Sequence, residues 1–409
     1  MNFSSKILFT LLAIIPVLSN AQTPISAGNT FTIESSAYES SREIQVYTPD
    51  GYDSITKNYP VLYVLDGQRW YMQAVSYQKL FQEYGYTPDF IVVGINTNDS
   101  GRYGFFNNSK KLSKFLEKDV IAFVENNFNT SNERILFGWQ FAGASALNIL
   151  FSDSELFSGF LAASPIPINN VIIDSSQEDL KTKSLFLVTS HAENQVNSGV
   201  NDFVKQLEDT TTPLKWTRQI VESEPLSSFG HRTTPVHALY HGLRFYYDDY
   251  PLLEFDKIED FHSLGGFQYV ESYYNSRANK YGLSNIIPQE GMFFLLRLGL
   301  DENDYSVFKR FMTIFIEKNV LGGVNIGWGT RYAEFSLQNE DYSLAKSIYQ
   351  ILCDRFPDNA RPFHGLGKVY LAQNDKVKAK NLFRAAIEIA QKNNDRKLTQ
   401  YQQDLDSLK

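Results

Sequence analysis

Two side chains that could take part in acid–base chemistry, and a third at the apex of a tight turn, fall at separated points in the first 250 residues, and their order carries meaning. The apolar run Ile135-Leu136-Phe137 leads into Gly138-Trp139-Gln140-Phe141-Ala142-Gly143. Small residues at Gly138 and Ala142, two positions either side of Gln140, suit a tight strand-to-helix turn with little room for side chains. The pattern G-x-S-x-G builds such a turn around a nucleophilic serine; here the apex is Gln140. Downstream, the strand-like run Leu185–Thr189 is followed by Ser190-His191-Ala192-Glu193, which puts the carboxylate of Glu193 just past a strand end. His231 then precedes a helical segment running from Val236 to Tyr247. Apex residue, acid, histidine is the chain order of one known catalytic relay.

A carboxylate-held imidazole can deprotonate a hydroxyl, but it has none to act on at Gln140. The amide nitrogen shares its lone pair with the carbonyl, so it does not form an acyl-enzyme. Oxyanion stabilisation and binding alone leave about 10³–10⁴ over the reaction in water. Ser145, roughly one and a half helical turns further on, lies down the helix and away from the apex. For Glu193 the plain alternative is a solvated carboxylate, with Asn194 and Glu208 close by; for His231 it is a structural histidine.

The elements that must position these groups can be read from hydrophobic patterning. Thr30–Glu34 and Arg42–Tyr47 alternate polar and apolar residues, as two antiparallel strands would. Tyr59–Leu65, Phe90–Ile95, Ile135–Gly138, Gly159–Ala163 and Leu185–Val188 are continuous apolar runs, suited to strands covered on both faces of a mainly parallel sheet. Between Leu112 and Phe128 the apolar residues recur with a helical period. Strands alternating with helices predict a doubly wound α/β domain over residues 22–250. Val64–Trp70 reads as the end of the third strand and a loop. A helical connecting region is expected over 251–326 and a short tail over 395–409.

With these residues in view, the chain resembles the esterase family that includes enterochelin esterase and esterase D, within the α/β-hydrolase superfamily. Leu65-Asp66-Gly67-Gln68-Arg69-Trp70 resembles that family's oxyanion-loop motif, Arg134–Gly143 its G-H-S-x-G-G elbow, and His231 with Ala238–Phe245 its histidine block. The resemblance covers about residues 28–248. It implies an α/β-hydrolase fold, carboxylic ester or thioester hydrolysis by Ser, His and an acid, and a small-molecule ester or siderophore-like ligand. It also implies oxyanion and substrate contacts from Gly67, Gln68, Trp139 and Phe141, and a substrate-gripping role for Arg102. Two departures stand at the elbow: Trp139 replaces the usual histidine and Gln140 the serine. No cofactor and no metal is implied. His237 and His241 are four apart on a helical stretch, but no third ligand accompanies them at suitable spacing.

The tail contains a repeat. Phe363, Leu366, Gly367, Tyr370, Ala379, Phe383 and Ala386 resemble the small and large positions of a tetratricopeptide repeat. Tyr332, Ala333, Ala345 and Tyr349 stand one repeat length, about 34 residues, earlier. Two helical hairpins are predicted over 327–394, a surface that could serve a protein partner.

A net charge of −8 over 409 residues argues against a nucleic-acid partner, which needs a basic face. Lys6, the apolar run Ile7–Leu18 and Ser19-Asn20-Ala21 read as a signal peptide over residues 1–21. No later run is long enough to span a membrane, so an exported protein, periplasmic or secreted, is expected. Cys353 is the only cysteine, which leaves no intrachain disulfide and suggests a buried thiol. Three functions follow from this reading: a catalytically degenerate hydrolase scaffold that binds a ligand or protein; an ester hydrolase in which His231 and Glu193 activate water directly; and an interaction module built on the repeats.

Overall fold

The antiparallel pair β1 (Asn29–Ser35) and β2 (Ser40–Tyr47) starts an eight-stranded sheet, with Phe31 opposite Ile44 and Ile33 opposite Arg42. The computed structural model describes residues 26–97, 101–168, 171–173, 177–210, 213–222, 229–318 and 320–408. The expected signal segment, residues 1–21, lies outside these. The next strands are β3 (Tyr59–Leu65), β4 (Ile91–Ile95), β5 (Thr130–Trp139), β6 (Gly159–Ala163) and β7 (Ser184–Ser190). Their apolar runs are buried on both faces, as mostly parallel strands between helical layers must be. The strand order is β1-β2-β4-β3-β5-β6-β7-β8, parallel from β4 onward. The last strand, β8 (Lys215–Val221), is absent from the sequence reading. Its polar composition hides it, and it is tolerated because it pairs only with β7 at the sheet edge.

The helices are α1 (Gly67–Tyr84), α2 (Arg102–Phe106), α3 (Ser109–Phe115), α4 (Ala122–Asn127), α5 (Phe141–Ser152), α6 (Asn194–Asp209) and α7 (Phe229–Tyr246). A π turn over Leu116–Ile121 joins α3 to α4, so the predicted helix is one run with a widened middle. Apolar side chains from the helices, Leu112, Phe115, Leu147, Leu150 and Phe203 among them, pack with Leu136, Phe160 and Leu185 of the sheet.

Two boundaries differ from the sequence reading. The predicted loop after β3 is a single residue, Asp66 at φ 56°, and α1 begins at once. Gly67 permits this, because a Cβ there would lie 2.6 Å from the backbone of Gly94 and Ile95. His231 is in the first turn of α7 rather than on a loop, since the helix starts before Pro235 instead of after it. Pro235 cannot donate to the carbonyl four residues back. The Thr234 hydroxyl donates to that His231 oxygen instead, at 3.0 Å.

The described residues form two compact units. One runs to Leu80 and continues over Asp89–Leu243; the other contains Phe81–Pro88 and the residues from Arg244 onward. The second is helical beyond α7: α8 (Ile258–Ser263), α9 (Gly266–Tyr281), α10 (Gln289–Asp301), α11 (Tyr305–Glu317), α12 (Ile326–Gln338), α13 (Tyr342–Arg355), α14 (Ala360–Ala372), α15 (Lys376–Lys392) and α16 (Leu398–Asp406). The turns before α13 and α15 repeat. Glu340 and Asn374 both have positive φ, and Asp341 and Asp375 cap the helices by accepting from Leu344 and Lys378 N–H. Glycines admit large neighbours: Gly365 faces the Tyr349 ring and Gly367 the Phe383 ring, each too close for a Cβ. Cys353 is buried in this unit, which pushes its thiol pKa up to about 12, with Asp354 adding to the shift. Among the described residues, no helix is long and apolar enough to cross a membrane.

Candidate active site

The carboxyl ends of β3, β4, β5 and β7 deliver Asp66, Thr97, Gln140 and Glu193 to one edge of the sheet. β5 is central to it: β3 and β4 lie to one side and β6 and β7 to the other. Open α/β sheets bind ligands at such an edge, where the strand order reverses.

Gln140 has φ 57° and ψ −119°, a backbone shape a side-chain-bearing residue rarely takes. Hydrogen bonds impose it: Gln140 N–H donates to Ala163 O at 2.9 Å, and Gln140 O accepts from Ala144 N–H at 2.8 Å. Close packing leaves no alternative, since a Cβ on Gly138 would stand 2.3 Å from Ala142 O. Such strained positions persist where their surroundings over-determine them.

The Gln140 amide is engaged at both ends. Arg102 Nη1 donates to Oε1 at 3.3 Å, and Nε2 lies 2.5 Å from His231 Nε2. On the far side of the ring, His231 Nδ1 bonds Glu193 Oε1. Glu193 Oε2 accepts from Ser190 N–H at 2.7 Å, and the carboxylate is buried. An ionised carboxylate only accepts, so Nδ1 carries the ring proton and Nε2 presents its lone pair. The amide orientation agrees: Oε1 faces the guanidinium and the NH₂ faces the imidazole, whereas the reverse would set donor against donor. Glu193, rather than Asn194 or Glu208, is the acid that meets His231.

The ring is positioned from behind. Thr234 Oγ1, which donates to His231 O, also pairs with the buried Ser164 Oγ at 2.7 Å. Trp139 lies 5.0 Å from the imidazole, and Trp70 meets Trp139 edge to face at 5.5 Å.

Arg102 is committed within the chain. Its Nε donates to both Asp66 oxygens at 3.0 Å, and its Nη2 donates to Asp66 Oδ2 at 2.7 Å and to Trp139 O at 3.1 Å. Asp66, fully buried, also accepts from Thr97 Oγ1 at 2.6 Å, and Gln68 Nε2 donates to that hydroxyl at 3.0 Å. Gly67 is buried where α1 begins, while Gln68 is exposed. Phe141 is half-buried, edge to face with Tyr103 at 5.5 Å and with the Arg102 guanidinium 5.5 Å from its ring. Ser145 is buried and donates back to Phe141 O, so it points away from the elbow. His237 and His241 stack on one another at 5.5 Å, and burial holds the His237 pKa below its ordinary value. Among the described residues, no three His, Cys, Asp or Glu are grouped as metal ligands.

Asp66, Thr97, Ser164 and Thr234 join the site without having been marked out by sequence pattern. Asp66 had a visible signal, a carboxylate closing a wholly apolar strand. The other three are short hydroxyl side chains whose importance depends on long-range neighbours.

Residues 35–217 match the family model described as "Putative esterase". The match covers just under half of the chain and supports an esterase-like unit of the α/β-hydrolase fold over those residues. The chain is similar to an IroE-like serine hydrolase from Shewanella oneidensis, with 19% identity over 69% of this chain and 97% of the other, and a TM-score of 0.51. Other similar structures are an uncharacterised protein from Capnocytophaga ochracea (16% identity, 91% of this chain and 99% of the other, TM-score 0.48) and the siderophore hydrolase EstB from Aspergillus nidulans (16% identity, 55% and 96%, TM-score 0.46). Comparison with curated proteins finds no match.

Proposed function

We propose that the esterase-family unit is silent in acyl transfer and serves as a binding scaffold, with Gln140 standing where the family nucleophile belongs. The observation that carries this reading is the Gln140 amide held between Arg102 and His231. In a working relay the imidazole lone pair faces a hydroxyl whose oxygen becomes the nucleophile. Here it faces an amide N–H, which yields no nucleophile at neutral pH. Direct activation of water by His231 and Glu193 is less well supported, because the amide holds the nitrogen that water would need. From the family resemblance, the proposed ligand is a small-molecule ester or a siderophore-like compound, with Trp139 and Phe141 near it.

A panel of chromogenic short-chain esters and a cyclic triester siderophore tests the proposal. Wild type and His231→Ala should be equally inactive, while tryptophan fluorescence reports binding through Trp70 and Trp139. Turnover abolished by His231→Ala would sink it.

The repeated Glu340-Asp341 and Asn374-Asp375 turns favour a further reading of the helical unit as tetratricopeptide-like repeats that bind a protein partner. Partner capture that survives deletion of residues 327–394 would exclude this. Export is proposed from residues 1–21, and a mature protein that still begins at Met1 would overturn it.

A further inference from the structure

A polar cavity of about 330 Å³ opens in the helical unit among α12, α14 and α16. Thr330 faces it from α12, Arg361, His364 and Lys368 from α14, and Lys397 and Tyr401 from the start of α16. The members of each set are spaced three or four residues apart, so each helix turns one face toward the same space.

Two features mark it as more than a gap between helices. The first is a pair of buried hydroxyls, Tyr401 Oη and Thr330 Oγ1, neither of which has a hydrogen-bond partner. The Tyr401 residue is 2% exposed. Buried polar groups are satisfied as a rule, and these two belong to residues in the cavity wall and lie unpaired just beneath its surface.

The second is uncompensated positive charge. Among the described residues, Arg361, Lys368 and Lys397 make no ion pair across this cavity, although the chain carries a net charge of −8. Arg331 is held by Asp301 at 3.3 Å, and Glu334 is the single carboxylate in the wall. The nearby Asp404 is engaged by His364, whose Nε2 lies 2.7 Å from Asp404 Oδ2. His364 registers the local field: burial first, then Lys368, holds its pKa below the ordinary value against the pull of Asp404, and Lys397 acts in the same direction.

We propose that this cavity binds a compact polyanion bearing carboxylate or phosphate groups, with Arg361, Lys368 and Lys397 meeting its charge and the Tyr401 and Thr330 hydroxyls bonding its oxygens. The volume sits at the lower end of small-molecule sites, about 300–1,000 Å³, which suits a compact solute. The proposal is independent of the chemistry at Gln140.

The test is isothermal titration of the full chain with citrate and with pyrophosphate, each at low and at raised salt. At least one should bind, with affinity falling as salt rises; citrate alone identifies a carboxylate site, and pyrophosphate alone a phosphate site. The double variant Arg361→Gln, Lys368→Gln should lose at least about tenfold in affinity. Tyr401→Phe separates binding from folding. Its hydroxyl bonds no protein group, so Tm should hold while affinity falls several-fold. No heat with either anion at millimolar concentration, or equal binding by the double variant, would overturn the proposal. So would a Tyr401→Phe protein of lowered Tm and unchanged affinity.

Discussion

The side-chain amide of Gln140 and the imidazole of His231 meet nitrogen to nitrogen, 2.5 Å apart, across 91 residues of sequence. Glu193 fixes the ring so that its lone pair faces the amide, and Arg102 fixes the amide so that its N–H faces the ring. The imidazole is held by a carboxylate on one side and faces an amide, not a hydroxyl, on the other.

Gln140→Ser should supply that hydroxyl. The elbow backbone does not depend on the amide, so ester turnover should appear at least about tenfold above wild type, given that a positioned general base contributes about 10²–10⁴-fold. It should vanish again in Gln140→Ser combined with His231→Ala. A serine variant that folds, yet neither hydrolyses any ester nor labels with a fluorophosphonate, would show that a hydroxyl at position 140 is not enough to make a working relay.

Arg102→Ala should destabilise the protein strongly. Asp66 is fully buried and Arg102 mostly so, and removing one partner of a buried pair costs about 3–5 kcal/mol because the remaining charge is stranded. The denaturant midpoint measures this. Combining Arg102→Met with Asp66→Asn should lose clearly less than Arg102→Ala alone.

Gly138→Ala should disturb the elbow without touching a functional side chain. The added methyl would meet backbone atoms of Ala142 and Gly143 at 2.3–2.7 Å, and backbone cannot swing aside as a flexible side chain can. Overpacking typically costs about 1–3 kcal/mol. A lowered Tm is expected, along with a shift in near-ultraviolet circular dichroism from Trp139. An unchanged Tm would mean that the turn is softer than its contacts indicate.

Asp119 links stability to pH. Burial opposes its charge, but hydrogen bonds from the Ser36 and Ser35 hydroxyls and from the Ala37 and Ser36 N–H groups outweigh it and hold the carboxyl below its ordinary 3.8. At neutral pH native and unfolded states are both ionised, and the native preference for the anion counts in full. As pH falls past 3.8 the unfolded state takes up its proton first, and the contribution is gone once the native carboxyl titrates too. Wild type should therefore exceed Asp119→Asn in stability at pH 7, with the gap closing below about pH 4. A gap that widens on acidification would contradict this.

Much of the fold was legible in the sequence because strand burial leaves a direct trace. The runs at Tyr59–Leu65 and Ile135–Gly138 are apolar at nearly every position, as strands covered on both faces must be. The elbow was legible because Gly138 must be a glycine: a Cβ there would run into the backbone of Ala142 and Gly143. β8 was not, because an edge strand needs no apolar run and is secured by its neighbour. The start of α7 was misread because Pro235 is a helix breaker by local rule, and the rule yields when Thr234 takes over the freed carbonyl.

By itself, then, the sequence determined an α/β fold, the place of Gln140 at a tight turn, and the order in which Glu193 and His231 follow it. It could not decide what those side chains touch. That Arg102 would bind Asp66, 36 residues away, and so be committed within the chain, was decided by tertiary structure. So was the meeting of the Gln140 amide with the His231 lone pair. The physical reason is common to both. Patterns along a chain report local burial and backbone shape, whereas hydrogen-bond partners are chosen only when the sheet brings distant strand ends to one edge, where each buried charge and each amide must be satisfied by whatever lies within reach.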